Sequence, residues 1–131
     1  MEVLRDPEIY DRITDDNCPA LEDFRMPDGI EATFIAGYAG GNIASLFALH
    51  HDNKFHYMVL KPYRKHARDL LKKSLALWGR PVWCEIPACY PEVINFARKS
   101  GFYEDKINKD AHMKNGDKYD THIMRYENGI C

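Results

Sequence analysis

An α+β fold is predicted here, with a mixed, mostly antiparallel and twisted sheet flanked by helices, and three observations predict it. Short β-branched and aromatic runs separated by glycine and asparagine turns occupy residues 33–60. Two amphipathic helical patterns follow, each leading into a strand-like run. The resulting order is hairpin, strand, basic turn, helix, strand, helix, strand, which places an antiparallel meander before the helical connections. At 131 residues the chain is long enough for one buried core and too short for two, so 1–131 is expected to be a single domain.

Taken in order, Met1 to Phe24 is acidic, with Glu2, Asp6, Glu8, Asp11, Asp15, Asp16, Glu22 and Asp23. Asp6-Pro7-Glu8 reads as a helix start: a capping carboxylate, a proline in the first turn, and acids near the positive end of the helix dipole. Ile9 and Ile13 give it a short apolar face, and Asn17, Cys18 and Pro19 break it. Arg25 to Gly29 is a loop, with Pro27 and Asp28-Gly29 as turn signals. Thr33 to Tyr38 and Ile43 to His50 are strands joined at Gly40-Gly41-Asn42. Lys54 to Leu60 completes a three-strand meander through a turn at Asp52-Asn53. Pro81 to Ile86 is a short strand closed by Pro87, and Pro91-Glu92 opens the second helix, whose inner face is Val93, Phe96 and Ala97 and whose end is Gly101. Phe102 to Ile107 and Tyr119 to Tyr126 are the last strands, linked by a polar loop, Asn108 to Lys118, with Asn115-Gly116 as a turn within it.

The stretch Phe55 to Gly79 organises the rest. Phe55, Tyr57 and Val59 form a strand that Pro62 ends, and Ala67, Leu71, Leu75 and Trp78 share one face of a helix. Between Lys61 and Arg80 the basic residues are Lys61, Arg64, Lys65, Arg68, Lys72, Lys73 and Arg80, against the single acid Asp69. Positive charge in the turn as well as on the outer helix face suits an anion, because the first N–H groups of a helix already favour one.

The run Val59-Leu60-Lys61-Pro62-Tyr63-Arg64-Lys65-His66-Ala67 resembles the coenzyme-A pyrophosphate segment of the GNAT superfamily of N-acetyltransferases, V-x-P-x-x-R/Q-x-x-G-x-G/A in its usual form. Arg64 falls on the R/Q and Ala67 on the first glycine. Val93 to Phe102, VINFARKSGF, resembles the family's second signature, a helix ending in K-x-G-F before a strand. The R-K-H-A-R-D turn is similar to small bacteriophage members of that superfamily. The resemblance covers Thr33 to Glu104 and departs from the pattern twice. Asp69 stands at the last G/A position, where a carboxylate faces pyrophosphate oxygens unless it turns away or pairs with Arg68 or Lys72. Ala97 stands where many members carry the tyrosine that protonates the departing thiolate.

The resemblance implies a GNAT-like fold and an acyl-CoA-dependent N-acyltransferase that moves acetyl from acetyl-CoA to an amine. The acceptor class stays open: small molecule, protein or nucleic-acid base. Two other readings accompany it, a catalytically inactive GNAT-like virion or interaction protein and a phage DNA-base-modifying, Mom-type enzyme. It assigns coenzyme binding to Met58, Val59, Leu60, Lys61, Arg64, Lys65, His66, Ala67, Arg68 and Asn95. The pyrophosphate contacts are expected mainly through backbone N–H groups, and the thioester carbonyl is expected to be polarised by amides near Val59 to Lys61. It also leaves room for a homodimer.

For the proton route the sequence offers Glu85, His56, His50 and His51 as bases and Tyr103 as a stand-in acid. Alternation puts His56, Met58 and Leu60 on one face and Phe55, Tyr57 and Val59 on the other, so His56 or Tyr57 serves according to which face meets the cleft. Tyr90 is the other tyrosine near the position that Ala97 leaves empty. No metal is expected, since the spacing of His50, His51, Asp52 and His56 matches no helical ligand pair.

Composition excludes some classes. A formal net charge of −2 argues against generic nucleic-acid binding by the whole domain, and hydrophobic and charged shares of 45% and 29% are those of an ordinary globular protein. No apolar run is long enough for a membrane span, and the first residues hold no secretory h-region, so the expected location is the cytoplasm, the host's if the chain is phage-encoded. Cys18, Cys84, Cys89 and Cys131 are then expected as reduced thiols.

Overall fold

Residues 1–5 and 32–127 are described by the structure, a computed structural model. The helix expected from Asp6-Pro7-Glu8, with Ile9 and Ile13 and its break at Asn17 to Pro19, lies outside the described residues, as does the loop Arg25 to Gly29. The chain divides into two compact units, Met1–Gly79 and Arg80–Cys131.

In the first unit, β1 (Glu2–Arg5), β2 (Ala32–Ala39), β3 (Asn42–His50) and β4 (Phe55–Val59) form an antiparallel sheet in that order. β1 has no counterpart in the sequence reading; its side chains are mostly exposed, and it is a strand because it pairs with Ile35 to Tyr38. The β2–β3 turn is tighter than expected. Ala39 pairs directly with Asn42, so Gly40 and Gly41 alone make the turn, and Gly40 takes a φ of +61° that a side chain would oppose. At the β3–β4 turn Asn53 has a φ of +68°, and the Asp52 carboxylate accepts the Lys54 N–H at 3.0 Å.

A 3-10 helix (Lys61–His66) runs directly into α1 (Ala67–Trp78), which Gly79 ends with a φ of +71° and an N–H donated to the Leu75 carbonyl at 3.0 Å. The buried face of α1 is Leu70, Leu71, Ser74 and Leu75. Ala67 and Trp78, expected there, are only half-buried, because the helix presents the Leu70–Leu71 edge to the sheet. Ser74 is tolerated inside because its hydroxyl donates to the Leu70 carbonyl at 2.8 Å. The sheet accepts the helix at Gly37, where an added Cβ would lie 2.4 Å from Ser45 Oγ and 2.9 Å from Leu70 Cδ2. By register Gly37, Ser45 and Val59 share that face with Ile35, Phe47 and Tyr57. Phe34, Ala36, Leu46 and Ala48 form a buried cluster on the other face.

The second unit holds β5 (Val82–Pro87), α2 (Pro91–Lys99), β6 (Tyr103–Lys114) and β7 (Asp117–Tyr126), with the antiparallel sheet order β5-β7-β6. The expected polar loop Asn108 to Lys118 is instead strand on both sides of a two-residue turn. Lys114 pairs with Asp117, and Asn115 and Gly116, with φ of +53° and +83°, make a type I′ hairpin. Side chains there are exposed on both faces, so no hydrophobic alternation announces the strand. A register shift between Asn108 and His112 accommodates Asp110 at a φ of +54°, its N–H donated to Asp120 Oδ1 at 3.0 Å.

α2 starts at Pro91 as expected, but its inner face is Ile94 and Ala97, and Val93 is 44% exposed. Gly101 follows at a φ of +97°, with the Tyr126 ring 3.4 Å from where a Cβ would sit. Cys84 is buried and Cys89 half-buried, and neither forms a disulfide among the described residues. All strand pairings among the described residues are antiparallel, and no described helix is long and apolar enough to cross a membrane.

Candidate active site

β4 is the outer strand of its sheet, and the phase of its ladder decides which backbone groups face outward. His50 donates its N–H to the Lys54 carbonyl at 2.8 Å, and Leu60 donates its N–H to the Ala44 carbonyl at 2.9 Å. Hydrogen-bonded and non-bonded pairs alternate along an antiparallel ladder. Phe55, Tyr57 and Val59, opposite Leu49, Phe47 and Ser45, are therefore the non-bonded positions, and their N–H and C=O groups point away from β3. Of the amides near Val59 to Lys61 expected to polarise a carbonyl, Val59 faces outward and Leu60 inward, as does Met58 before them. Tyr57 joins Val59 as an outward donor that side-chain reading alone does not reveal.

Immediately beyond, the 3-10 helix takes up its own amides: Tyr63 N–H donates to Leu60 at 2.8 Å, and Ala67 N–H donates to the Arg64 carbonyl. The expectation of pyrophosphate contact mainly through backbone N–H groups is thus corrected at Ala67, since a 3-10 turn closes those donors on itself. The side chains remain. Lys61, Arg64, Lys65 and Arg68 are exposed and, among the described residues, have no ion-pair partner, while His66 is half-buried. Asp69 pairs with Lys73 at 3.2 Å, one turn further along α1, rather than with Arg68 or Lys72.

Tyr57 fixes this joint. Its hydroxyl donates to the Ala67 carbonyl at 2.7 Å, and burial, then the Asp69 carboxylate, pushes the phenol well above its usual range, so it stays a donor. His56 lies on the opposite face of β4, its Nε2 3.0 Å from His50 Nε2. Desolvation, followed by the charges of His50 and Lys54, holds His56 below the usual imidazole range.

In the second unit Glu85 and Tyr103 share one face of the sheet, on the outer strands β5 and β6. Glu85 stands opposite Ile123, and Tyr103 stands opposite Arg125, which also faces Trp83. Glu85 Oε2 accepts from Thr121 Oγ1 at 2.5 Å and from Asn108 Nδ2 at 3.4 Å. The Tyr103 hydroxyl, on a residue 45% exposed, donates to Glu127 Oε1 at 2.8 Å, and that bond raises its pKa. Asn95 is separate from both, exposed on α2 and lining a depression of about 520 Å³ with Pro91, Arg98 and His122.

Ala97 is buried on the inner face of α2. Tyr90 is engaged elsewhere, under Lys114 Nζ at 4.6 Å. The tyrosine beside the end of α2 is Tyr126, its ring 5.3 Å from that of Phe102. Sequence reasoning also missed a cluster on the α2 side of this sheet. Glu104 Oε1 accepts from His122 Nδ1 and from Arg98 Nη2, and the His122 bond chiefly holds the Glu104 carboxyl below its usual range. Only the β6–β7 register brings Glu104 and His122 together, and no local motif marks them.

No protein-family model and no curated protein matches this chain. Solved structures do. A chimera of the spermidine N-acetyltransferase SpeG from Vibrio cholerae with hSSAT is similar at a TM-score of 0.70 and 14% identity, over 97% of this chain and 96% of that one. The smu.2055 protein of Streptococcus mutans UA159 is similar at 0.71 and 14% identity, over 97% and 99%. The Vibrio cholerae spermidine N-acetyltransferase solved with CoA and spermine is similar at 0.66 and 16% identity, over 86% and 75%. At such identities the likeness establishes architecture alone, and the chain has the GNAT-like α+β fold of the spermidine N-acetyltransferases it resembles.

Proposed function

We propose that this chain is an acyl-CoA-dependent N-acyltransferase that moves acetyl from acetyl-CoA to an amine. One observation carries the reading: an outer strand whose Tyr57 and Val59 amides point outward leads directly into the exposed cations Lys61, Arg64, Lys65 and Arg68. The cations bind the coenzyme phosphates, and Asp69 is kept from them by Lys73. The Val59 N–H polarises the thioester carbonyl, where negative charge grows as the amine attacks. The C–N bond forms, the C–S bond breaks, and the coenzyme leaves as a thiolate.

Glu85 takes the amine proton, its carboxylate oriented by Thr121 and Asn108, with His56 as the second candidate base. Tyr103 is the donor nearest in chemistry to the missing tyrosine. Loss of that acid at Ala97 costs little, because a thiol with a pKa of about 8.5 leaves as a thiolate near neutral pH. Polyamines are the preferred acceptor class. The spermidine N-acetyltransferases among the solved neighbours, one of them solved with CoA and spermine, support that class. The same reading treats 1–131 as one domain working in the cytoplasm.

Calorimetric titration of acetyl-CoA, with dephospho-CoA for comparison, tests it. Binding in the micromolar range, weakened without the 3′-phosphate and about tenfold or more in Arg64→Glu, is expected, since charge-assisted contacts contribute ~1.5–3 kcal/mol each. Absence of binding would overturn the reading. Binding without transfer to spermidine, other amines or DNA would favour the inactive GNAT-like alternative.

A further inference from the structure

We propose that His50 and His56 form a two-histidine site on the β3–β4 hairpin for a divalent transition metal that prefers imidazole, namely copper(II), nickel(II) or zinc. The site shares His56 with the acyl-transfer reading, where it is the second candidate base, but does not rest on that reading. Its six-residue spacing is meaningless on a helix, but across this hairpin it is a diagonal. His50 pairs with Lys54 through its N–H, and His56 stands opposite Ala48, so the two side chains emerge on one face from neighbouring strands. The ladder sets their separation before any metal arrives.

That separation fits coordination. The two Nε2 atoms are 3.0 Å apart and the rings meet at 78°. Metal–imidazole bonds of about 2.0–2.1 Å place two ligands at right angles about 2.8–3.0 Å apart. A metal would therefore take the place of the single hydrogen bond between the rings with little movement of either strand. His56 is exposed and His50 half-buried, which leaves the remaining coordination positions to water.

The surroundings limit the site to a labile one. Lys54 brings a positive charge from the same turn, and the Asp52 carboxylate next to it already accepts the Lys54 N–H. Among the described residues no group of three or more His, Cys, Asp or Glu side chains is disposed around one point, so the described residues supply two ligands here. Right-angled imidazoles favour copper(II) and nickel(II), which accept tetragonal geometry, over tetrahedral zinc.

The test is copper(II) titration of the full chain followed by electron paramagnetic resonance, with calorimetry for affinity. One copper per chain with coupling to two imidazole nitrogens is expected. His50→Gln and His56→Gln should each weaken binding at least about tenfold and remove one nitrogen from the spectrum, as loss of one of two protein ligands requires. His51→Gln and His66→Gln should leave both unchanged. Metal-free thermal melts of each variant separate lost ligation from lost folding. Equal affinity in the double variant His50→Gln/His56→Gln, or an equal loss in His51→Gln, would overturn the assignment.

Discussion

The two regions that hold the candidate chemistry are built differently. At β4 and the 3-10 helix the useful groups are main-chain amides whose direction follows from ladder phase, together with exposed cations that have no ion-pair partner among the described residues. On the β5-β7-β6 sheet the useful groups are side chains, and each already has a partner: Glu85 with Thr121, Tyr103 with Glu127. The first region is open to a ligand and tolerant of sequence change; the second must give up a contact before it can act. Coenzyme binding should therefore survive substitutions that would erase a proton relay.

The largest test of that contrast is Val59→Pro. An outward N–H on an outer strand can be removed without breaking the ladder. Turnover should fall about 10²–10³-fold, as when one oxyanion donor is lost, with an unchanged melting temperature. Comparable turnover would move the carbonyl away from Val59.

Next in size is a change to the packing beneath the same strand. Gly37→Ala puts a methyl 2.4 Å from Ser45 Oγ and 2.9 Å from Leu70 Cδ2. A loss of about 1–3 kcal/mol in denaturant unfolding is expected from such overpacking. An unchanged midpoint would mean that α1 can move off the sheet freely.

Tyr103→Phe should lower turnover less than about tenfold with KM unchanged, because a thiolate leaves without much help from an acid. A loss of a hundredfold would make that exposed phenol a principal donor.

The smallest effect concerns Glu104. Its folded pKa lies below the carboxylate value of 4.5 because His122, and then Arg98, favour the anion. The unfolded chain then binds more protons just below pH 4.5, so this stabilisation is complete above that pH and is lost as pH falls through the folded pKa. Glu104→Gln should flatten the acid limb of the stability curve in that window. An unaltered limb would make the Glu104–His122 contact energetically silent.

Much of the architecture was legible because local chemistry and fold agree. Pro62 and Pro91 sit in the first turns of helices, and Gly40, Asn115 and Gly116 adopt at their turns the positive φ their residue types permit. Where the sequence misled, tertiary context decided. β1 is a strand only because β2 accepts it, and residues 109–114 extend β6 without any apolar stripe. The helix faces at Leu70 and Ile94 were misplaced by one position, a difference that only the sheet beneath each helix resolves. For the site, the basic run could be read directly. The outward direction of the Val59 amide, the His50–His56 diagonal and the Glu104–His122 contact could not, because each depends on strand register.

The Asn115-Gly116 hairpin bears on how the second unit acquires its structure. β6 and β7 are neighbours in sequence, so their pairing closes short loops and can form within microseconds. β5 must find β7 across α2 and the whole of β6, a search that costs far more loop entropy. β7, central in the sheet yet later in sequence than both strands it pairs with, thus serves as the template on which the earlier β5 docks, and this sheet cannot close until β7 has been synthesised.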